Sequence, residues 1–267
     1  MRFLIVRLGA MGDIVHGVPV AAALRRAYPD ARIDWLVSAK HRAVLDMVTV
    51  VDHVMAVNDR GDAAGGLSVP AAIRALRRER YDVALDLQGL IKSAVLARLS
   101  GARRVIGFSG RYARESAARF FYTDTCNPGG PGLREPGEVR HVVSLNLCLV
   151  RALGLEPGEP EFPMRVTRSA DVEAVVARTG GRYALLNTGA AWPNKRWPPL
   201  RFAELARLLR ERHGLTSIVL WGPAERALGE DVVQQADGAA LMAPQTRSEE
   251  HTSELQSLAY LVCRLLL

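Results

Sequence analysis

The strongest constraint on this chain is the alternation of short apolar runs with helical spacing over its first 110 residues. Residues 3–6 form an apolar run that closes at Gly9, as a buried parallel strand does. Residues 14–27 place apolar side chains at helical spacing, finish in Arg25 and Arg26, and are stopped by Pro29 and Asp30. The same reading predicts strands at 32–37, 53–57, 83–87 and 104–107, and helices at 42–47, 69–80 and 91–99. Residues 58–68, rich in glycine and alanine, read as a loop. Strand and helix taken in turn imply a parallel sheet covered by helices on both faces.

A second series follows a stretch that holds Pro157, Pro160 and Pro163. It predicts strands at 183–187, 216–221 and 239–242, with helices at 199–213 and 225–236. The expected organisation is therefore a doubly wound domain over 1–155, a linker over 156–168 and a second, partial one over 169–246. Two such halves are expected to face a cleft. Residues 127–139 read as a loop, and 141–153 return to helical spacing.

Charge narrows the partners. The chain carries 35 basic and 28 acidic residues, a net +7, and all the cations but Lys40, Lys92 and Lys195 are arginines. Guanidinium forks suit phosphate and carboxylate, so anionic ligands, nucleic acid and a lipid surface are all open on charge alone. Three cysteines (Cys126, Cys148, Cys263) make no disulfide framework and point to a reducing compartment. No apolar run approaches the roughly 18 residues of a membrane span. Arg7 and Asp13 break the opening run too early for a signal peptide, so a strand is expected there.

The last 21 residues stand apart. From Arg247 the chain reads RSEEHTSELQSLAYLVCRLLL, which resembles a translated frame of a sequencing adapter. They are set aside as non-native, and His251 and Cys263 with them.

Four strand-to-helix turns carry the candidate chemistry. Gly9-Ala10-Met11-Gly12-Asp13 lets backbone approach a ligand at a helix start. It is not GxGxxG, which disfavours a nicotinamide dinucleotide. Asp13 stands where a helix cap belongs, and equally where a general base at a sheet's carboxyl edge would stand. The segment from Asn187 through Thr188, Gly189, Ala190 and Ala191 to Lys195 is either a diphosphate cradle or a solvent loop with incidental charge. Trp221-Gly222-Pro223-Ala224-Glu225 repeats the layout. Glu225 could accept from ribose hydroxyls or merely favour the helix start by its charge. Asp86-Leu87-Gln88-Gly89 is the fourth. The arginines at 74–80 and 111–119 read as solvated faces or as a cationic surface. The histidines show no metal-ligand spacing, Ser109 and Ser116 sit in no nucleophile elbow, and the Walker pattern is absent.

The segments MRFLIVRLGAMGDIVHGVPV, YDVALDLQGLIKSA, YARESAARFFY, NTGAAWPNKRWP and WGPAE together resemble the family 9 glycosyltransferases, and among them the type I lipopolysaccharide heptosyltransferases. The resemblance covers essentially all of residues 1–246. It implies a GT-B fold of two Rossmann-like domains, with acceptor on the first and nucleotide-sugar on the second. It implies inverting transfer of L-glycero-D-manno-heptose from ADP-heptose to Kdo of lipid A, without an obligatory metal or other cofactor, at the cytoplasmic face of the inner membrane. Carried onto these residues, Asp13 is the general base. Thr188, Gly189, Ala190, Ala191, Lys195 and Glu225 are donor contacts, with Lys195 on the diphosphate and Glu225 on the nucleoside. Gly12, Arg60, Lys92 and Arg114 are acceptor contacts. Ala190 and Ala191 depart from the Ser or Thr of relatives, and the loop around Arg60 is less basic than theirs. The resemblance also implies further β/α units beyond Thr246, so the chain as it stands is expected to be inactive. Type II or III acceptors, a nucleic-acid-binding protein and a non-catalytic binding module on the same fold are the alternatives. Cations dispersed over β/α units without an aromatic platform argue against nucleic acid.

Overall fold

The computed structural model describes residues 1–59, 61, 65–165, 170–189, 194, 196–222 and 225–244. The chain divides into two units, Met1–Arg165 and Val166–Leu267.

The first unit is built on six parallel strands: β1 (Arg2–Val6), β2 (Arg32–Ser38), β3 (His53–Val57), β4 (Val83–Asp86), β5 (Arg104–Phe108) and β6 (Asp124–Cys126). Their order is β3-β2-β1-β4-β5-β6. Successive side chains of a strand point to opposite faces, and β1 shows what that does. Phe3 and Ile5 enter one core beside Val20, Leu24 and Leu149, while Leu4 and Val6 enter another beside Ala72, Leu76 and Leu96. The helices behind these cores are α2 (Val18–Ala27) and α6 (Val142–Arg151) on one face, and α4 (Val69–Glu79) and α5 (Ile91–Leu99) on the other. Both faces are covered, so the strands read as continuous apolar runs.

One predicted helix is two. α1 (Met11–Val15) and α2 are separated at His16 and Gly17. Pro19, the second residue of α2, has no N–H to give the Val15 carbonyl, which interrupts the ladder there, and Gly17 in the gap packs so closely that a Cβ would stand 2.9 Å from both Leu87 and Trp35. α3 (Arg42–Asp46) falls within the predicted helix, with the 3₁₀ turn Ala39–His41 before it, while the 3₁₀ turn Ser116–Phe121 and β6 escape the periodicity. Residues 155–165, read as linker, pack on the first unit. Arg26 reaches Glu161 and the Pro157 carbonyl, and Met164 bridges Val48. Cys126 and Cys148 pair as a disulfide, with Cα atoms 6.0 Å apart, where β6 lies against α6. In the sequence the three cysteines point to a reducing compartment, and this single pair departs from that expectation.

The second unit has parallel strands β7 (Tyr183–Asn187), β8 (Thr216–Leu220) and β9 (Ala240–Met242), in that order. Val219 and Leu186 pack against α8 (Pro199–His213) and α9 (Arg226–Gln235). Ile218 and Leu220 face Val175 of α7 (Ala170–Thr179), a helix hidden next to the proline-rich stretch. α8 ends at Gly214, whose φ of 66° gives the left-handed turn a helix end favours. Among the described residues no helix is long and apolar enough to cross a membrane.

Candidate functional site

In an open parallel sheet, ligands bind beyond the carboxyl ends of the strands where the strand order reverses. Here that point lies between β1 and β4. The turns after β1, β4 and β5 meet there, and their contacts fix each candidate side chain.

The turn after β1 carries Arg7 and Asp13. Arg7 is 2% exposed although charged. Its Nη1 donates to the Leu87 carbonyl and its Nη2 pairs with Asp13 Oδ2. From the turn after β5, Arg114 Nη2 donates to the same Oδ2 at 2.9 Å. Asp13 therefore is not the cap that its position in sequence suggested. The cap residue is Ala10, in extended backbone, and Asp13 lies inside the first turn of α1, facing two guanidinium groups. Burial pushes its carboxyl up, but the charges of Arg7 and Arg114 and their hydrogen bonds outweigh this and hold it below the ordinary carboxylate range.

The turn after β4 is organised by Asp86, fully buried. It accepts from Tyr122 Oη at 2.7 Å, Ser93 Oγ at 2.9 Å, and the N–H groups of Gln88 and Gly89 at 2.9 and 3.3 Å. Gln88 then accepts from the Leu8 N–H at 2.8 Å. Gly89, at φ 68°, touches Ala113 and Arg114 so closely that a Cβ would lie 3.1 Å from the Arg114 nitrogen. Its carbonyl accepts from the Glu115 N–H at 2.9 Å. The three turns are thus one hydrogen-bonded assembly around Asp13.

The acceptor candidates divide. A Cβ on Gly12 would meet nothing within 4 Å, so no internal packing demands glycine there. On Gly9, by contrast, a Cβ would stand only 2.8 Å from the His41 ring. Lys92 is tied down: Nζ donates to the Asp59 carbonyl at 2.5 Å and to its carboxylate at 2.7 Å, beside a bond from Ser38 to the same carboxylate. It secures the start of the loop that carries Arg60, which lies outside the described residues.

In the second unit, Ala190, Ala191 and Lys195 also lie outside the described residues. Thr188 is buried and its hydroxyl donates to the Leu220 carbonyl at 3.3 Å, so it joins the ends of β7 and β8. Glu225 Oε2 accepts from the Gly222 N–H at 3.2 Å, and Oε1 stands 3.8 Å from Arg196. The carboxylate fills the space where Gly189 would carry a Cβ. It binds the two strand-end turns together and makes no side-chain cap on α9. Among the described residues no group of three His, Cys, Asp or Glu could hold a metal ion.

Comparison with known proteins adds four findings. The family described as Glycosyltransferase family 9 (heptosyltransferase) matches residues 69–264. The lipopolysaccharide heptosyltransferase 1 of Pseudomonas aeruginosa is 28% identical over 91% of this chain and 67% of its own length. That of Campylobacter coli is 30% identical over 83% of this chain and 65% of its own. Among solved structures, Escherichia coli heptosyltransferase WaaC with ADP superposes with a TM-score of 0.73 at 25% identity, over 96% of this chain and 78% of that one. The chain has the GT-B α/β fold of these transferases.

Proposed function

The chain belongs to glycosyltransferase family 9, the heptosyltransferases, and from that premise we propose that it transfers L-glycero-D-manno-heptose from ADP-heptose to the Kdo sugar of lipid A. The observation that carries the reading is Asp13, a carboxylate fixed at the carboxyl edge of the sheet where the order reverses. Among the described residues both of its ion pairs use Oδ2. Oδ1 is the atom that would take the proton of the Kdo hydroxyl as that oxygen attacks the anomeric carbon of the heptose. The bond from that carbon to ADP breaks on the opposite face, giving inversion, and ADP leaves with the electron pair. Lys195 would offset the charge that develops on the departing diphosphate. Glu225 would reach the nucleoside through Oε1, since its bond from the Gly222 N–H uses Oε2. Arg60, Arg114 and Lys92 would meet the anionic acceptor, and a lipid acceptor implies work at the surface of the inner membrane, on its cytoplasmic face.

The test is an ADP-release assay on the protein, with Kdo-lipid A set against an acceptor that already carries heptose. Transfer to Kdo-lipid A alone is expected, and transfer only to the heptosylated acceptor overturns the assignment.

Two variants probe the binding groups. Gly12→Ala places a methyl in open space inside a helical turn, where alanine is favoured over glycine by about 0.5–1 kcal/mol. The melting temperature is expected to hold or rise slightly while the KM for acceptor increases; an unchanged KM removes Gly12 from the acceptor site. Lys195→Ala is expected to weaken ADP binding about tenfold or more, the scale of a lost charged hydrogen bond. Calorimetry checks it, and unchanged ADP affinity removes Lys195 from the donor site.

A further inference from the structure

The two arginines on Asp13 are unlike. Arg7 belongs to the core: its side chain is 3% exposed, and the two terminal nitrogens of its guanidinium meet the Leu87 carbonyl and Asp13. Arg114 stands on a turn with 43% of its side chain exposed, and its guanidinium bond to Asp13 spans 2.9 Å. A carboxylate gripped by both is a poor proton acceptor, whereas a general base works best when its proton affinity approaches the working pH. An acceptor bearing its own carboxylate offers the Arg114 fork an equivalent partner. Arg7, enclosed and doubly tied, cannot follow.

We infer that Arg7 is a positioning residue that fixes the Asp13 carboxylate, and that Arg114 is an exchangeable cover, drawn off Asp13 by a carboxylate of the incoming acceptor. This rests on the reading of Asp13 as the base. Exchange leaves one arginine on Asp13 and raises its proton affinity only once the acceptor is seated. The other charged or titratable groups nearby stay in place. Asp86 at the end of β4 acts on Arg7 rather than on Asp13, and the His41 ring lies against Gly9.

The experiment is a carbon-13 NMR titration of the Asp13 carboxyl in the protein, with free Kdo as the probe. Saturating Kdo is expected to raise the titration midpoint by about one pH unit. Arg114→Gln is expected to raise it by a similar amount without Kdo and to abolish the response to Kdo. Arg7→Gln raises it in both states, and Arg7→Lys returns it part of the way. In kinetics, the acid limb of kcat lies above that of kcat/KM in the wild type, and the two coincide in Arg114→Gln. A midpoint that Kdo leaves unmoved overturns the exchange. An Arg7→Gln enzyme slowed at every pH, with its limb unshifted, makes Arg7 merely structural. Should Arg7→Gln fail to fold, the Kdo response and Arg114→Gln still decide the exchange, and Arg7→Lys decides the role of Arg7. Full turnover in Asp13→Asn would defeat the base reading alone, because the NMR response is independent of turnover.

Discussion

Asp13→Ala lowers turnover by about a hundredfold or more, the usual scale for a lost general base, and leaves ADP-heptose affinity nearly unchanged. The separation is expected because the residues proposed for the donor belong to the second unit, while Asp13 and both of its arginines belong to the first. Removing the carboxylate also leaves Arg7 buried without its counter-ion, so some loss of stability accompanies the loss of rate. Asp13→Asn, which keeps the shape, separates the two effects. Single-turnover kinetics with saturating donor is the measurement. Turnover within about twofold of wild type in both variants would return Asp13 to a purely structural part in its ion-pair cluster.

The second large effect is on stability. Asp86→Ala removes the acceptor from four donors at once, those of Tyr122, Ser93, Gln88 and Gly89, in a site closed to water. The expected cost is about 3–5 kcal/mol, which for a unit of this size lowers the melting temperature by on the order of 10 °C. Burial pushes the Asp86 carboxyl up, and its hydrogen bonds offset this only in part. A raised value in the folded state gives a contribution that is whole below the unfolded carboxylate value and lost as pH climbs through the folded one. The deficit of Asp86→Asn against wild type should accordingly shrink as pH rises from about 4 towards 7. Calorimetric melts across that range check it. A deficit that grows with pH would mean that the four donors outweigh burial.

Sequence and structure agree where local pattern and tertiary demand coincide. β3, β7, α5 and α8 fall on the predicted residues, since each pairs a clean periodicity with a clear stop such as Gly214. They part where a remote contact decides. In residues 14–27 the apolar spacing runs on through Pro19, whose missing N–H ends the ladder, and nothing in it shows that Gly17 must fit between Leu87 and Trp35. β6 has three residues, too few for an alternation to register, and it is held by pairing with β5. The pairing of Cys126 with Cys148 bridges 22 positions, a separation that carries no motif.

At the site, Asp13 and Arg114 could be picked out from the sequence, but the bond between them could not. Arg7 was missed as a functional residue. The available signal was a lone arginine closing a buried apolar run before a glycine turn, an expensive place for a charge unless a partner is near. Asp86 carried the same kind of signal at the end of an equally apolar strand.

The strand order of the first unit bears on how the molecule is made. Because β1 is central, with β2 and β3 added on one side and β4, β5 and β6 on the other, every later strand joins an edge already present and none is inserted between earlier ones. A chain leaving the ribosome amino end first can assemble this sheet outward in the order of its synthesis. Asp13 emerges early beside Arg7 and stays single-partnered through most of that growth. Its second arginine arrives only with residue 114, after β5 has docked, so the ion-pair cluster closes late in translation of this unit.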